Sequence, residues 1–292
     1  MKRLRDEEQM DDPALDPAVY AAVLADLGRV NRWTLAARPT LDFLRRAAAG
    51  PDRLRLLDVG FGEGDMLRAI ARWARRRGVS LELVGVDLNP RSAAVAAVAT
   101  PPELTIDYRT GDYRDQSGFD LVISSLVAHH MTDAELRDFL AWMEASAPRG
   151  WLVNDLHRQR LSYLGYPLLA RLLRTHRIVR EDGRLSIARS FRPGDWRELL
   201  DRAGVPPGAA AIRRYFPFRL CVERLRCSSA AGRPARPPPS SWPAPGLGPS
   251  WPSAARGRTT WSAAGSWDGM LWQRWSGWAS TPPVLARARS PG

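Results

Sequence analysis

The chain has 292 residues, enough for one large domain or two small ones with a sizeable core, which excludes a peptide or a disulfide-knotted miniprotein. Hydrophobic residues at 45% and charged residues at 25% are globular averages that exclude wholesale disorder and a fibrous repeat. The formal charge is +12, yet 42 of the 43 basic residues are arginine and only Lys2 is lysine, a bias that GC-rich codons produce without any nucleic-acid or membrane partner.

The opening MKRLRDEEQMDD turns acidic where a signal peptide turns apolar, and no run of eighteen apolar residues follows, so the expected protein is soluble and cytoplasmic, with no membrane partner. Residues 14–48 carry Val19, Val23, Leu27, Val30, Leu41 and Leu44 at helical spacing, with Asp16-Pro17 and Pro39-Thr40 as start signals; two helices are predicted, an N-terminal cap over 1–48. LRLLDVG at 54–60 is an apolar run without helical period, followed by glycines at 60, 62 and 64 and the helical MLRAIARWARRRG. This reads as strand, glycine turn, helix. LELVGVD at 81–87, then Asn89-Pro90 and an alanine-rich helix over 91–99, repeats the pattern. Further strands are expected at 104–108, 119–125 and 150–154, with a helix at 132–146 opened by the capping-box pair Thr132 and Glu135. Residues 161–190 hold Tyr163, Tyr166, Leu168, Leu169, Leu172 and Leu173 and read either as an extra helix closing the core or as a lid over an apolar substrate. Pro193-Gly194-Asp195 starts a helix that stops at Gly204, and 213–225 supplies a last strand or hairpin. Such alternation gives an α/β fold, a mainly parallel sheet with helices on both faces.

Composition changes near residue 227. Over 227–292, alanine, glycine, proline and serine supply 41 of 66 residues, yet seven of the twelve tryptophans fall there. Low-complexity tails are poor in aromatics, whereas the tryptophan codon TGG, read one base back, gives leucine and valine codons. In that frame Arg226 to Leu247 can be re-read as VLVGGRPAGAAAAIVLARAGL, which resembles the FAD-binding opening of a flavoprotein. The segment is expected to be out-of-frame translation, disordered and without evolved function, with a flavoprotein encoded downstream; a natural disordered tail is the other account. Cys221 and Cys227 show no metal-ligand spacing, which agrees with a reducing compartment.

In a doubly wound sheet, ligands bind at the carboxyl ends of the strands. Gly60, Gly62 and Gly64 follow the first strand, where absent side chains admit a ligand to backbone N–H groups. Asp87 closes the second strand and is placed to accept from two ribose hydroxyls. A bare tight turn and a helix N-cap are the alternatives for these two features.

LLDVGFGEGDM at 56–66, VGVDLNP at 84–90, TGDY at 110–113 and FDLVISSLVAHHM at 119–131 together resemble the ordered motifs of class I S-adenosylmethionine-dependent methyltransferases, strongly over residues 50–160. The glycine spacing is GxGxG rather than the GxGxxG of dinucleotide-binding proteins. The resemblance implies a Rossmann-like domain over 49–226, with a lid at about 158–190, and S-adenosyl-L-methionine as cofactor. It implies that Gly60, Gly62 and Gly64 wrap the methionine portion with Asp58 near its amino group. Asp87 would hold the ribose and Leu88 pack on adenine, while Asp112 would accept from the adenine amino group beside Tyr113. Ser124 and Ser125 would face the sulfonium and substrate. NDLHRQRLSYLGY at 154–166, with MDDPALDPAVYAAVLADLGRVNR at 10–32, is similar to a bacterial subgroup of small-molecule methyltransferases found beside flavoproteins and type III polyketide synthases. That implies O-methylation of a phenolic or polyketide-type hydroxyl in secondary metabolism.

Deprotonating a hydroxyl calls for a base, and His129, His130, Asp155 and His157 lie in the two strand-end loops nearest the expected acceptor. Asp155 could orient His157, two residues on, or both could cap the next helix. No metal ligand set is expected. The alternatives kept open are methylation of RNA or protein, which the arginines could support, and a non-catalytic cofactor-binding partner of a biosynthetic enzyme.

Overall fold

The computed structural model describes residues 1–226 apart from 7, 13 and 49–52; the expectations for 227–292, including the shifted reading and its flavoprotein, lie outside the described residues. Two helices come first, α1 (Pro17–Trp33), capped by the Asp16 carboxylate on the N–H groups of Ala18 and Val19, and α2 (Arg38–Ala47). Then follow β1 (Leu54–Val59), α3 (Asp65–Arg77), β2 (Leu81–Asp87), α4 (Pro90–Ala99), β3 (Asp107–Thr110), β4 (Leu121–Ser125), α5 (Asp133–Ser146) and β5 (Gly150–Leu156). The chain continues through α6 (Arg160–Leu172), α7 (Arg177–Arg189), α8 (Pro193–Arg202), β6 (Ala211–Tyr215) and β7 (Arg219–Leu225).

The seven strands form one sheet in the order β3-β2-β1-β4-β5-β7-β6. β1 to β5 are parallel, and β7 pairs antiparallel with both β5 and β6. Both faces are covered, which is why the central strands read as unbroken apolar runs rather than as alternation. Leu57, Val59, Val122, Trp151 and Val153 pack with Leu136, Phe139 and Met143 of α5 and Trp196 of α8. Their neighbours Leu56, Leu121, Ile123 and Leu152 face Phe43 and Leu44 of α2 and Leu67 and Ile70 of α3. The expected capping box is present, Thr132 Oγ1 accepting from Glu135 N–H and the Glu135 carboxylate from Thr132 N–H.

Three strand boundaries differ from the sequence reading. β5 runs on to Leu156 rather than stopping at 154, because Asp155 and Leu156 still pair with Leu220 and Arg219 of β7. β3 begins at Asp107 rather than 104, because the Leu104 N–H turns back to the Pro101 carbonyl while Leu104 itself is buried. β4 begins at Leu121 rather than 119, because the Asp120 side chain accepts the Arg55 N–H, closing that rung of the ladder.

The 161–190 segment forms the α6–α7 hairpin, whose Tyr166, Ala170, Ile178, Val179 and Ile187 make a third apolar cluster with Val23 and Val30 of α1. Tyr166 donates its hydroxyl hydrogen to the Val179 carbonyl at 2.8 Å. Leu161, Leu164, Leu168 and Leu172 of α6 remain exposed. Among the described residues, no helix is long and apolar enough to cross a membrane.

Candidate active site

The turn leaving β1 has Gly60, Gly62 and Gly64 at φ of +75°, +55° and +76°, a region costly for residues with a Cβ. A Cβ on Gly60 would lie 2.4 Å from Val127 Cγ2, and one on Gly64 2.6 Å from the Tyr108 hydroxyl. At Gly62 it would meet nothing within 4 Å. The outer glycines therefore allow close packing, and the middle one leaves open space beside its backbone. Gly60→Ala is expected to cost at least about 1–2 kcal/mol from the left-handed backbone alone, with the clash added; a melting temperature equal to that of the unaltered protein would overturn this.

Asp87, ending β2 next to β1, fastens this turn: its Oδ2 accepts the Gly62 N–H and its Oδ1 the Asn89 N–H, both at 2.8 Å. The Ser92 side chain adds a further hydrogen bond, and since a carboxylate has about four lone-pair positions, one remains. Burial pushes its pKa up against the pull of those amides. Leu88 is exposed beside it. At the end of β3, Asp112 accepts from the Arg114 N–H and pairs with its guanidinium at 3.2 Å, and Tyr113 sets its ring 4.9 Å from Phe139 and 4.8 Å from Trp142.

Under the turn lies a cavity of about 30 Å³ lined by Asp58, Gly60, Ser125 and Arg219, among others. Asp58 is buried with neither carboxylate oxygen hydrogen-bonded. Its pKa is held well above the usual carboxylate range by burial and then by the charges of Asp65 and Asp87. Across the cavity Arg219, also buried, has Nε and Nη1 without partners and spends only Nη2 on Asn31 Oδ1 at 3.3 Å. Burial lowers its pKa. A carboxyl with no hydrogen bond and a guanidinium with Nε and Nη1 unused present, in one cavity, the complement of an α-amino acid's ammonium and carboxylate. Arg219 is absent from the sequence reading, although an arginine inside the apolar stretch FRLCV is a visible irregularity.

At the end of β4, Ser124 turns its Oγ to the Val59 carbonyl at 2.9 Å, whereas the buried Ser125 Oγ makes no hydrogen bond and borders the cavity. Asp155 orients His129 and not His157. Its Oδ1 lies 2.7 Å from His129 Nδ1, its Oδ2 accepts the His129 N–H at 2.8 Å, and Oδ1 also accepts from Leu156 N–H. The Asp155 carboxylate is spent on the His129 ring and on two backbone amides, because the short turn Ala128–His130 after β4 comes alongside β5. His157 lies past the end of β5, bridged to Phe191, with its pKa lowered by burial and by Arg214, Arg192 and Arg158. Arg158 itself bonds Asp195 and the Ser190 carbonyl. The His129 and His130 rings lie tilted at 39° with centroids 4.3 Å apart, and the N-terminal segment brings the buried Glu8 to both.

A mainly parallel sheet with a glycine turn after β1, a carboxylate ending β2, and a buried carboxyl and guanidinium on one cavity under the turn defines a cofactor-binding α/β enzyme of the doubly wound type. A family model described as a methyltransferase domain matches residues 32–205. The chain belongs to that methyltransferase family, and its fold is that of the class I enzymes, whose cofactor is S-adenosylmethionine. Among solved structures, the plantazolicin methyltransferase BpumL in complex with SAH is 12% identical at a TM-score of 0.55, over 74% of this chain and 93% of that one. Magnesium protoporphyrin IX methyltransferase from Synechocystis PCC 6803 is 14% identical at a TM-score of 0.46, over 75% and 91%. No curated protein matches the chain.

Proposed function

We propose that this methyltransferase transfers the methyl group of S-adenosylmethionine to a hydroxyl of a small phenolic or polyketide-type molecule in the cytoplasm, as a step of secondary metabolism. The observation that carries the cofactor site is the unbonded carboxylate of Asp58 and the unbonded Nε and Nη1 of Arg219, all buried, on one cavity. Asp58 receives the cofactor's ammonium and Arg219 its carboxylate, while Asp87, with one lone-pair position left, takes a ribose hydroxyl. Leu88 and Tyr113 border the adenine, with Asp112 at its edge, and the open side of Gly62 leaves room for the chain between them. Burial first, and then the charges of Asp65 and Asp87, raise the Asp58 pKa, and a ligand of net positive charge offsets those charges.

When bound, the cofactor supplies an electrophilic methyl group on a sulfonium. The protein's part is then alignment and deprotonation, since in-line substitution depends chiefly on geometry, and a phenol with a pKa of about 10 stays protonated at neutral pH without help. Ser125, at the cavity rim, marks the sulfonium end. Beyond it His129, held by Asp155, and His130 form the group that draws off the acceptor's proton. The α6–α7 hairpin and the N-terminal segment cover this end as a lid, which keeps water from the methyl group.

Calorimetric titration of the full chain with S-adenosylmethionine and its demethylated product is expected to give micromolar binding that Asp87→Ala removes while the circular-dichroism spectrum is kept. Phenols and resorcinols are then screened for methyl transfer. A folded wild-type sample that binds neither ligand would refute the reading.

A further inference from the structure

We propose that Glu8, His129 and His130 bind a divalent cation of the zinc type at the acceptor end of the cleft. Their donor atoms lie within 4.8 Å of one another: Glu8 Oε1 is 3.7 Å from His129 Nε2 and 4.0 Å from His130 Nε2. Tetrahedral zinc with bonds of about 2.1 Å sets its donors roughly 3.4 Å apart, so modest side-chain rotations close the set. Two imidazoles and one carboxylate suit zinc or a neighbouring transition metal and not magnesium, which prefers oxygen donors and retained water.

The surroundings are built as those of a metal site. Asp155 can only accept, so it fixes the proton on His129 Nδ1 and leaves a lone pair on Nε2, the atom turned to Glu8. A carboxylate behind a ligating histidine orients the ring and raises its basicity. Glu8 Oε1 accepts from Ser186 Oγ at 2.8 Å and lies 3.5 Å from Arg189 Nη1, contacts that orient the carboxylate. Glu8 and His129 are buried, while the His130 side chain is 33% exposed and gives an ion its entrance. Glu8 belongs to a segment far from the histidines in sequence, so the ligand set closes only when the N-terminus is in place.

The role of this ion rests on the reading of the cleft as a methyl-transfer site. A coordinated acceptor oxygen loses its proton more readily; the proton leaves to water, the new O–CH3 bond forms as the S–CH3 bond breaks, and the sulfonium becomes a neutral thioether. The histidines then act through the cation rather than as free bases.

The test is calorimetric titration of Zn²⁺ into the full chain stripped with a chelator, with product-cofactor affinity measured on the same samples. One equivalent is expected to bind, and His130→Ala and Glu8→Gln should each weaken it by about tenfold or more, while His176→Ala changes nothing. His130 is partly exposed, so its variant keeps the fold even if Glu8→Gln does not. Absence of saturable binding, or affinity unchanged in His130→Ala, overturns the proposal. Zinc binding without cofactor binding would leave the ion site standing and reject the methyl-transfer reading instead.

Discussion

Asp155→Asn is expected to lower kcat by about 10²- to 10⁴-fold, the usual contribution of proton transfer by a positioned group, with the affinity for the product cofactor unchanged. Asp155 is buried and is reached by the His129 ring and by two backbone amides, so its task is to set the tautomer and direction of His129. An amide in its place can turn its NH2 toward Nδ1 and reverse that tautomer. Burial pushes the carboxyl pKa up, but His129, the hydrogen bonds and Arg219 outweigh it and hold the group below 3.8. A lowered folded pKa contributes stability above the unfolded value, which is lost as pH falls through the folded one. The wild-type melting temperature should therefore drop on acidification below pH 3.8, and the variant should lack that share of the drop. Full turnover in Asp155→Asn beside a dead His157→Ala would transfer the role to His157.

Asp58→Asn is expected to move two quantities in opposite directions. Losing one partner of a buried charge pair costs about 2–5 kcal/mol, so cofactor affinity should fall by roughly 30-fold or more. The protein without cofactor should become more stable at neutral pH, because the substitution removes a buried carboxyl that has no hydrogen bond and faces two other acids. The sign follows from linkage. An acid with a raised folded pKa makes the folded state bind the extra proton, so stability declines as pH climbs through the window from 3.8 upward to that folded value. Thermal unfolding across that range, with and without cofactor, checks both halves. A variant that binds as tightly as wild type would remove Asp58 from the site, and a lower melting temperature for the free protein would mean that the carboxylate has a stabilising partner.

The methyltransferase fold was legible because its signals are local. Apolar runs at 54–59, 81–87 and 150–154 can be buried only on both faces, and the glycines at 60, 62 and 64 break into left-handed backbone where β1 must hand over to α3. Asp87 was legible for the same reason, since ending the strand beside the glycine turn puts its carboxylate on the Gly62 amide. Within the loops after β4 and β5, however, sequence spacing favoured the wrong partner for Asp155: His157 is two residues away, and His129 is 26.

Nothing in the order of residues joins Glu8 to His129, or sets Arg219 opposite Asp58. Those approaches depend on long-range packing: α1 against the α6–α7 hairpin carries the N-terminal segment over the loop after β4, and antiparallel insertion of β7 between β5 and β6 brings Arg219 to the carboxyl end of the sheet. The order of strands and helices and the glycine–aspartate cradle could be read from residue order, because hydrophobic period and backbone freedom act over a few residues. Which acid meets which cation follows from packing alone, because desolvation and charge depend on groups brought together from separate elements, 26 residues apart for His129 and Asp155 and further for Asp58 and Arg219.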